Sequence, residues 1–438
     1  MEKVSIISLG CPKNTVDSEK IIGVLADSGY MISTIPEESD FVIINTCAFI
    51  QPAVIESKNV ISQFIRIKKR NKFKLIVTGC MPSRYYTYLC EEREIDGIIG
   101  LYHITQFPEI LSLIASGKRI CINSCGHIKG YSLLPRVIST MPYAYLKITE
   151  GCNNCCSYCT IPQIRGHLVS FPEKEILKEA ENLFLSGVKE LIIVGHDITA
   201  FGKDSGKKSL TRLVREIVGI GFPWIRLMYL HPSGITNELL ELIGSYKQIC
   251  KYLDIPLQHV NPVILKRMNR PVFDYGKLIN RIRKFVPGIT LRTTFIVGFP
   301  GETDQIFDEL IEFVKSIKFE RLGAFIYYPE EGTRSFLMDN SVPIYIKKRR
   351  YLRLINIQKK ISKELALSFK NKILEIIIDK EKNGRFYGRT QMDAPDIDWI
   401  VTVHGKVRFG DMVNVRITKS SFYSLSGFVC SDMTKPQS

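Results

Sequence analysis

No apolar run in this 438-residue chain approaches the roughly 18 residues a membrane-spanning helix requires. A helical membrane protein is therefore not expected. The start, Met1-Glu2-Lys3, is charged and runs straight into the strand-like Val4–Ser8, without the apolar core of a secretory signal, so a cytosolic protein is expected. Internal repeats and low-complexity tracts are also missing, which sets aside solenoid architectures and long disordered arms. What remains is ordinary globular composition, 45% hydrophobic and 24% charged. The length exceeds what one hydrophobic core organises and predicts two to four domains.

Acidic residues are scarce in one place. Residues 341–372 hold ten Lys/Arg against Glu364 alone, which supplies +9 of the net +16. Leu352, Leu354, Ile355, Ile357, Ile361, Leu365 and Leu367 recur through it, so the segment predicts an amphipathic basic helix. Such a helix packs on a domain by one face, and its other face can guide the chain toward an RNA-rich assembly.

Twelve cysteines in a reducing compartment point to metal or cluster ligation rather than disulfides. Cys90, Cys121, Cys125, Cys250 and Cys430 have no partner at a telling spacing and read as small packing residues. The others group. Cys152, Cys155, Cys156 and Cys159 lie within eight residues and allow two registers, C-x3-C-x2-C or C-x2-C-x3-C. Two abutting C-x2-C knuckles are too close for a usual zinc ribbon. Cys11, Cys47 and Cys80 are far apart in sequence, but each follows a strand-like run: Val4–Ser8, Phe41–Asn45 and Leu75–Thr78. Helical patterns follow these runs, from about Thr15 to Gly29, from Pro52 to Lys69, and from near Pro82. That alternation predicts a small parallel sheet whose carboxyl-end edge collects the three cysteines.

Residues 121–142, with Gly126, Gly130, Pro135 and Pro142, read as a linker. A second alternation then begins, with strands predicted at Ala144–Ile148, Leu191–Val194, Ile225–Tyr229, Tyr252–Ile255, Thr293–Val297 and Arg321–Ile326. Helical patterns at Glu173–Ser186, Leu210–Ile220, Asn237–Ser245 and Thr303–Ser316 fit an open or partial barrel. Beyond the basic helix, strand-like runs at Ile373–Asp379, Arg385–Thr390, Trp399–Val403, Met412–Ile417 and Ser424–Val429 predict a small antiparallel β-barrel, followed by a mobile tail, Ser431–Ser438. The fold class is thus α/β: an N-terminal doubly wound parallel-sheet domain over 1–120, a central partial (β/α) barrel over 143–340 closed by the basic helix of 341–372, and a small barrel over 373–434.

The register Cys152-x3-Cys156-x-Tyr158-Cys159 resembles the signature of the radical S-adenosylmethionine (radical SAM) enzymes, and Ile296–Glu302 resembles their adenine-lining segment. With Cys11 in Ser8-Leu9-Gly10-Cys11-Pro12-Lys13-Asn14, Cys47 in Asn45-Thr46-Cys47-Ala48-Phe49-Ile50 and Cys80 in Thr78-Gly79-Cys80-Met81-Pro82-Ser83-Arg84-Tyr85, nearly the whole chain resembles the methylthiotransferases, whose small C-terminal barrel is a TRAM domain. The resemblance implies two 4Fe–4S clusters, one on Cys11, Cys47 and Cys80 and one on Cys152, Cys156 and Cys159, with Cys155 a spare thiol. It implies S-adenosylmethionine as methyl donor and radical source, bound near Tyr158, Asp197, Gly298 and Glu302. No catalytic residue beyond the cluster ligands is expected, although His196 and Asp197 invite an acid–base reading.

Substrate divides the family. Tyr252–His259, Leu291–Val297, Glu330–Thr333 and Asp393–Asp398 resemble the branch that methylthiolates the β-carbon of an aspartate in small-subunit ribosomal protein uS12. The transfer-RNA branch typically has Asn in place of Asp197 and Ser in place of His259. Gly195–Thr199 and Cys155 depart from the usual pattern. The expected partners are a ribosomal protein or ribosome, a sulfur donor and an external electron donor, with no membrane, for a monomeric enzyme. The alternatives are a transfer-RNA adenosine methylthiotransferase and a non-catalytic metal-binding, RNA-binding protein. Residues 373–438 carry nine Lys/Arg and eight Asp/Glu, a near-neutral barrel that suits a basic protein better than transfer RNA.

Overall fold

The computed structural model describes residues 1–124, 126–206 and 209–430. Cys125 and the tail from Ser431 lie outside the described residues. The N-terminal sheet has six parallel strands in the order Met31–Ile32, Lys3–Ser8, Phe41–Thr46, Lys74–Gly79, Gly97–Ile99 and Ile120–Ile122. Its central strands are apolar on both faces, as a covered parallel sheet demands. The last strand, Ile120–Ile122, extends into the stretch expected to be linker. Further along that stretch Tyr131 and Ser132 are buried, and Lys20 Nζ donates to the Ser132 carbonyl at 3.0 Å.

The central sheet is also parallel and strictly sequential: Tyr143–Lys147, Glu190–Val194, Trp224–Leu227, Ile249–Asp254, Thr290–Val297 and Arg321–Ile326. All six strands sit where the apolar runs predict, and the first and last do not pair. Register and pleat place Tyr143, Glu190, Arg226, Tyr252, Asp254, Arg292 and Arg321 on one face. That face is unusually charged, and the other two modules fill it.

The C-terminal strands Ile373–Lys382, Arg385–Arg389, Ile400–His404, Met412–Ser420 and Ser424–Val429 form a closed barrel. It is not wholly antiparallel, because Ile400–His404 pairs in parallel with Ser424–Val429. The connection before Ile400–His404 leaves the barrel and lies on the charged face. There Arg226 donates to the Gln391 carbonyl at 2.9 Å, Arg321 to Asp393 at 2.8 Å and Tyr252 to Asp398 at 2.7 Å. Arg292 reaches Asp398 at 3.4 Å, and Arg389 pairs with buried Glu190. Three of the barrel's eight acidic residues are therefore drawn inward: Asp393 and Asp398 face this network, and Asp379 pairs with Arg389 at 2.7 Å, while exposed Glu375 accepts from the Trp224 indole at 3.1 Å. Arg321→Ala would strand buried Asp393 without its cation. A loss of about 3–5 kcal/mol is expected, read as a lower denaturant midpoint.

The basic helix spans Ile344–Leu367. Its inner face includes Leu354, Ile361 and Ala366 together with Lys347 and Arg350, so two of its eight cations are structural.

Candidate functional site

The dispersed cysteines stand at the carboxyl ends of three adjacent strands. Cys11 is the residue before the helix Pro12–Asp27, which Pro12 starts with a preset φ. Cys80 opens the short helix Cys80–Arg84. The glycines before them, Gly10 and Gly79, have φ of +92° and +93°, a region that only glycine enters cheaply. A Cβ at Gly10 would come within 3.0 Å of Cys47 Sγ, so this glycine also provides the room beside that thiol. Burial pushes the Cys47 thiol up to about 12, with Cys80 and then Cys11 adding to the effect. Burial likewise raises Cys80, against the pull of Arg165. The three thiols therefore sense one another across a common space.

The local cysteines lie on the loop after the central module's first strand. Burial raises Cys152 to about 11 and raises Cys159, with Cys156 the next contributor. Cys156 Sγ faces Arg270 at 3.9 Å, and Cys159 Sγ accepts the Ile161 N–H at 3.5 Å. Cys155 behaves differently: it is exposed, its φ is +49°, and its carbonyl accepts from Asn269 at 3.0 Å. The backbone thus turns Cys155 outward and favours the register through Cys156. Cys155→Ser should keep the iron of a reconstituted protein, whereas Cys156→Ser should lose about four irons per chain, measured by iron analysis.

One guanidinium joins the two sets. Arg165 closes the helix Ile161–Arg165, just past Cys159, and reaches into the N-terminal module. It contacts Cys80 Sγ at 3.6 Å, Asn14 Oδ1 at 2.5 Å, Asp17 at 2.7 Å and Glu150 at 3.3 Å. Lys147 pairs with the same Asp17 and Glu150 at 2.6 and 2.8 Å. Lys13 is buried as well, its ammonium 3.5 Å over the Tyr229 ring. Arg165 and Lys147 thus share two carboxylates, with Lys13 beside them and its ammonium lowered from its usual range by burial. The guanidinium against Cys80 suits an anionic, thiolate-ligated group.

The other expected site residues divide. Tyr158 packs edge-on against Phe299, ring centroids 6.4 Å apart, which joins the cysteine loop to the Gly298–Glu302 turn. Gly298 has φ +74°, and a Cβ there would collide with Lys347 at 2.3 Å. Glu302 points inward: it accepts the Gly298 N–H at 3.0 Å and Arg350 at 2.8 Å, with His259 Nε2 at 3.4 Å. It therefore shapes its own turn. Asp197 is buried, accepting from the Thr199 N–H and hydroxyl at 3.0 and 2.6 Å and from Asn154 at 2.8 Å. That fixes the cysteine loop to the strand end. Burial, then Lys13, Arg165 and Lys147, holds His196 well below its usual range, so it is neutral at physiological pH and poorly suited to act as an acid.

Glu330, in the Glu330–Thr333 stretch, clamps the N-terminal module. It accepts the Gln51 N–H at 2.7 Å and pairs with Arg84 at 3.1 Å, while Arg84 also donates to the Ala48 carbonyl at 2.7 Å. The loops after Cys47 and Cys80 are both held this way. A cavity of about 210 Å³ opens beside Cys11, lined by Glu19, Tyr143, Tyr145, Tyr229 and Asp396, so all three modules contribute to its wall.

All six thiols are free. Among the described residues, no three His, Cys, Asp or Glu side chains converge tightly enough for a single metal ion; a cubane spreads its ligands more widely. Thiols held neutral by burial give up their protons when iron takes their place. The residues present fit iron–sulfur clusters on this count and on charge.

Three sequence families map onto the three modules: "Uncharacterized protein family UPF0004" over residues 3–100, the radical SAM superfamily over 146–314 and the TRAM domain over 372–430. Fold and site together define a radical SAM enzyme, a class that uses S-adenosylmethionine and a 4Fe–4S cluster. Two curated relatives are named ribosomal protein uS12 methylthiotransferase RimO. The one from Thermoanaerobacter sp. (strain X514) is 43% identical over 435 residues, spanning 98% of this chain and 100% of the relative. The one from Clostridioides difficile (strain 630) is 43% identical over 440 residues, spanning 98% and 99%. The chain belongs to this RimO family of sulfur-group transferases. Solved structures share the fold at low identity. The radical S-adenosylmethionine methyltransferase TsrM from Kitasatospora setae has a TM-score of 0.57 at 14% identity, covering 76% of this chain and 77% of that one. The cobalamin-dependent S-adenosylmethionine radical enzyme OxsB has 0.53 at 11%, covering 82% and 56%. No described helix is long and apolar enough to cross a membrane.

Proposed function

We propose that this chain methylthiolates the β-carbon of an aspartate in ribosomal protein uS12. Cys152, Cys156 and Cys159 would hold one 4Fe–4S cluster, and Cys11, Cys47 and Cys80 a second. Three ligands per cluster would leave one iron open in each, and the bound groups would supply radical generation from S-adenosylmethionine at one site and sulfur delivery at the other. The chain's own residues do the rest. Tyr158 and Phe299 wall the cysteine loop with apolar surface. Glu302 and Asp197 act by positioning, one fixing the turn at Gly298 and the other the loop at Asn154. Arg165 would offset negative charge at the second cluster, and Glu330 and Arg84 hold the modules together around it.

The observation that carries this reading is Arg165, which touches a cysteine of one triplet while standing six residues after a cysteine of the other. Two separately ligated sites are thereby tied into one polar core. The test is anaerobic reconstitution with reductant, sulfide and S-adenosylmethionine, offering ribosomal protein uS12 and transfer RNA in parallel. A methylthio mass gain on the protein is expected. A gain on RNA alone would overturn the substrate, and intact clusters without 5′-deoxyadenosine would overturn the chemistry.

A further inference from the structure

The helix Ile344–Leu367 spends its charge unevenly. Lys347 donates inward to the Tyr327 carbonyl at 3.0 Å and Arg350 to Glu302. Arg349 and Arg353 turn toward Asp304 and Asp308 at 3.7 and 2.6 Å. Lys348, Lys359, Lys360 and Lys363 are exposed, and none of them belongs to an ion pair among the described residues. At about 100° per residue the four share one third of the helix circumference, along a track of about 23 Å. Glu364, the single acid of the segment, is taken by Lys318 at 3.0 Å. The track is therefore uncompensated positive charge.

Aromatic rings stand at its side. Phe422 and Tyr423 form the turn between the last two strands of the C-terminal barrel, 37% and 44% exposed, with ring centroids 6.3 Å apart. Lys359 Nζ lies 4.2 Å over the Phe422 ring, so the cationic track and the rings are one continuous surface. Cations that follow a backbone beside exposed rings that can stack bases are the parts of a single-strand nucleic-acid site. A lipid surface fits less well, since an interfacial helix needs its apolar face free, whereas Leu354, Ile361 and Ala366 are buried against protein.

We infer that this face binds an unpaired RNA strand, and that it docks the enzyme on RNA flanking its protein substrate in the ribosomal subunit. The second half of that statement rests on the substrate proposed above; the first does not.

The test is fluorescence anisotropy of the reconstituted enzyme with a labelled single-stranded RNA oligomer across a salt series. K348Q/K359Q/K360Q/K363Q should bind at least tenfold more weakly, with the slope of log affinity against log salt shallower by about 2–3, from roughly 0.7 for each phosphate no longer neutralised. F422A/Y423A should weaken binding several-fold with the slope unchanged. Parental affinity and slope in the lysine variant would overturn the inference. So would loss of binding to phosphatidylserine vesicles with RNA binding intact, since that would make the face a membrane-binding one. Methylthiolation of isolated uS12 should be equal in parent and lysine variant, while modification of the intact small subunit should fall in the variant. If the parent fails to modify isolated or assembled uS12, the substrate reading fails, and the anisotropy still decides the RNA site.

Discussion

Replacing Cys47 with alanine is expected to abolish sulfur transfer while leaving S-adenosylmethionine cleavage in place. The substitution removes one buried sulfur and disturbs little else. The Cys47 N–H donates to Ser57 Oγ at 3.1 Å, and its carbonyl accepts from the same hydroxyl at 2.8 Å, so the backbone stays anchored. Glu330 and Arg84 hold the loop beyond it through hydrogen bonds that do not involve the thiol. Two cysteines alone should not retain the N-terminal cluster, and iron should fall from about eight to about four per chain. The cleaving site, on another module, keeps its three ligands. Production of 5′-deoxyadenosine should therefore persist with no methylthio product detectable by mass. Undiminished transfer would refute the second cluster.

Arg165→Ala should be nearly as damaging, for a different reason. Its guanidinium offers planar donors to Cys80, Asn14, Asp17 and Glu150 together. Truncation leaves two buried carboxylates to share Lys147, at a cost of about 3–5 kcal/mol. Arg165→Lys restores the charge but not the fork, because an ammonium on a flexible stem cannot meet four acceptors at once. Arg165→Lys is expected to recover part of the denaturation midpoint yet transfer sulfur at least tenfold more slowly than the parent. Equal midpoints and equal transfer in parent and both variants would show that the bridge is incidental.

The long inner strands of the N-terminal sheet were legible because both faces of a covered parallel sheet are apolar, which leaves an unbroken signal in sequence. Short edge strands such as Met31–Ile32 and Ile120–Ile122 carry too few residues for any periodicity. Pairing of Ile400–His404 with Ser424–Val429 in parallel could not be read either, since alternation shows which face a strand buries and says nothing of its neighbour's direction. At the site, the cysteines were visible by spacing and by position after strands. Arg165, Asn14 and Lys147 were not, because a buried charge is explained by its partner, and Arg165 and Asp17 lie 148 residues apart. The one hint was Lys13-Asn14, in the same stretch as Cys11. Lys347 and Arg350 show the opposite error: counted as surface charge, they are inner residues of a helix whose remaining lysines face outward.

The segment Gln391–Asp398 also constrains the order of manufacture. It is synthesised after both parallel sheets, yet it lies on the charged face of the central sheet and walls the cavity beside Cys11 through Asp396. All six cysteines assigned to clusters are synthesised well before it. Until that segment is made, the cavity beside Cys11 lacks the wall that Pro395, Asp396 and Ile397 supply. Seating Asp393 on Arg321 and Asp398 on Arg292 closes it. A chain ending just before Gln391 would keep all six cysteines and still leave the cavity beside Cys11 open to solvent.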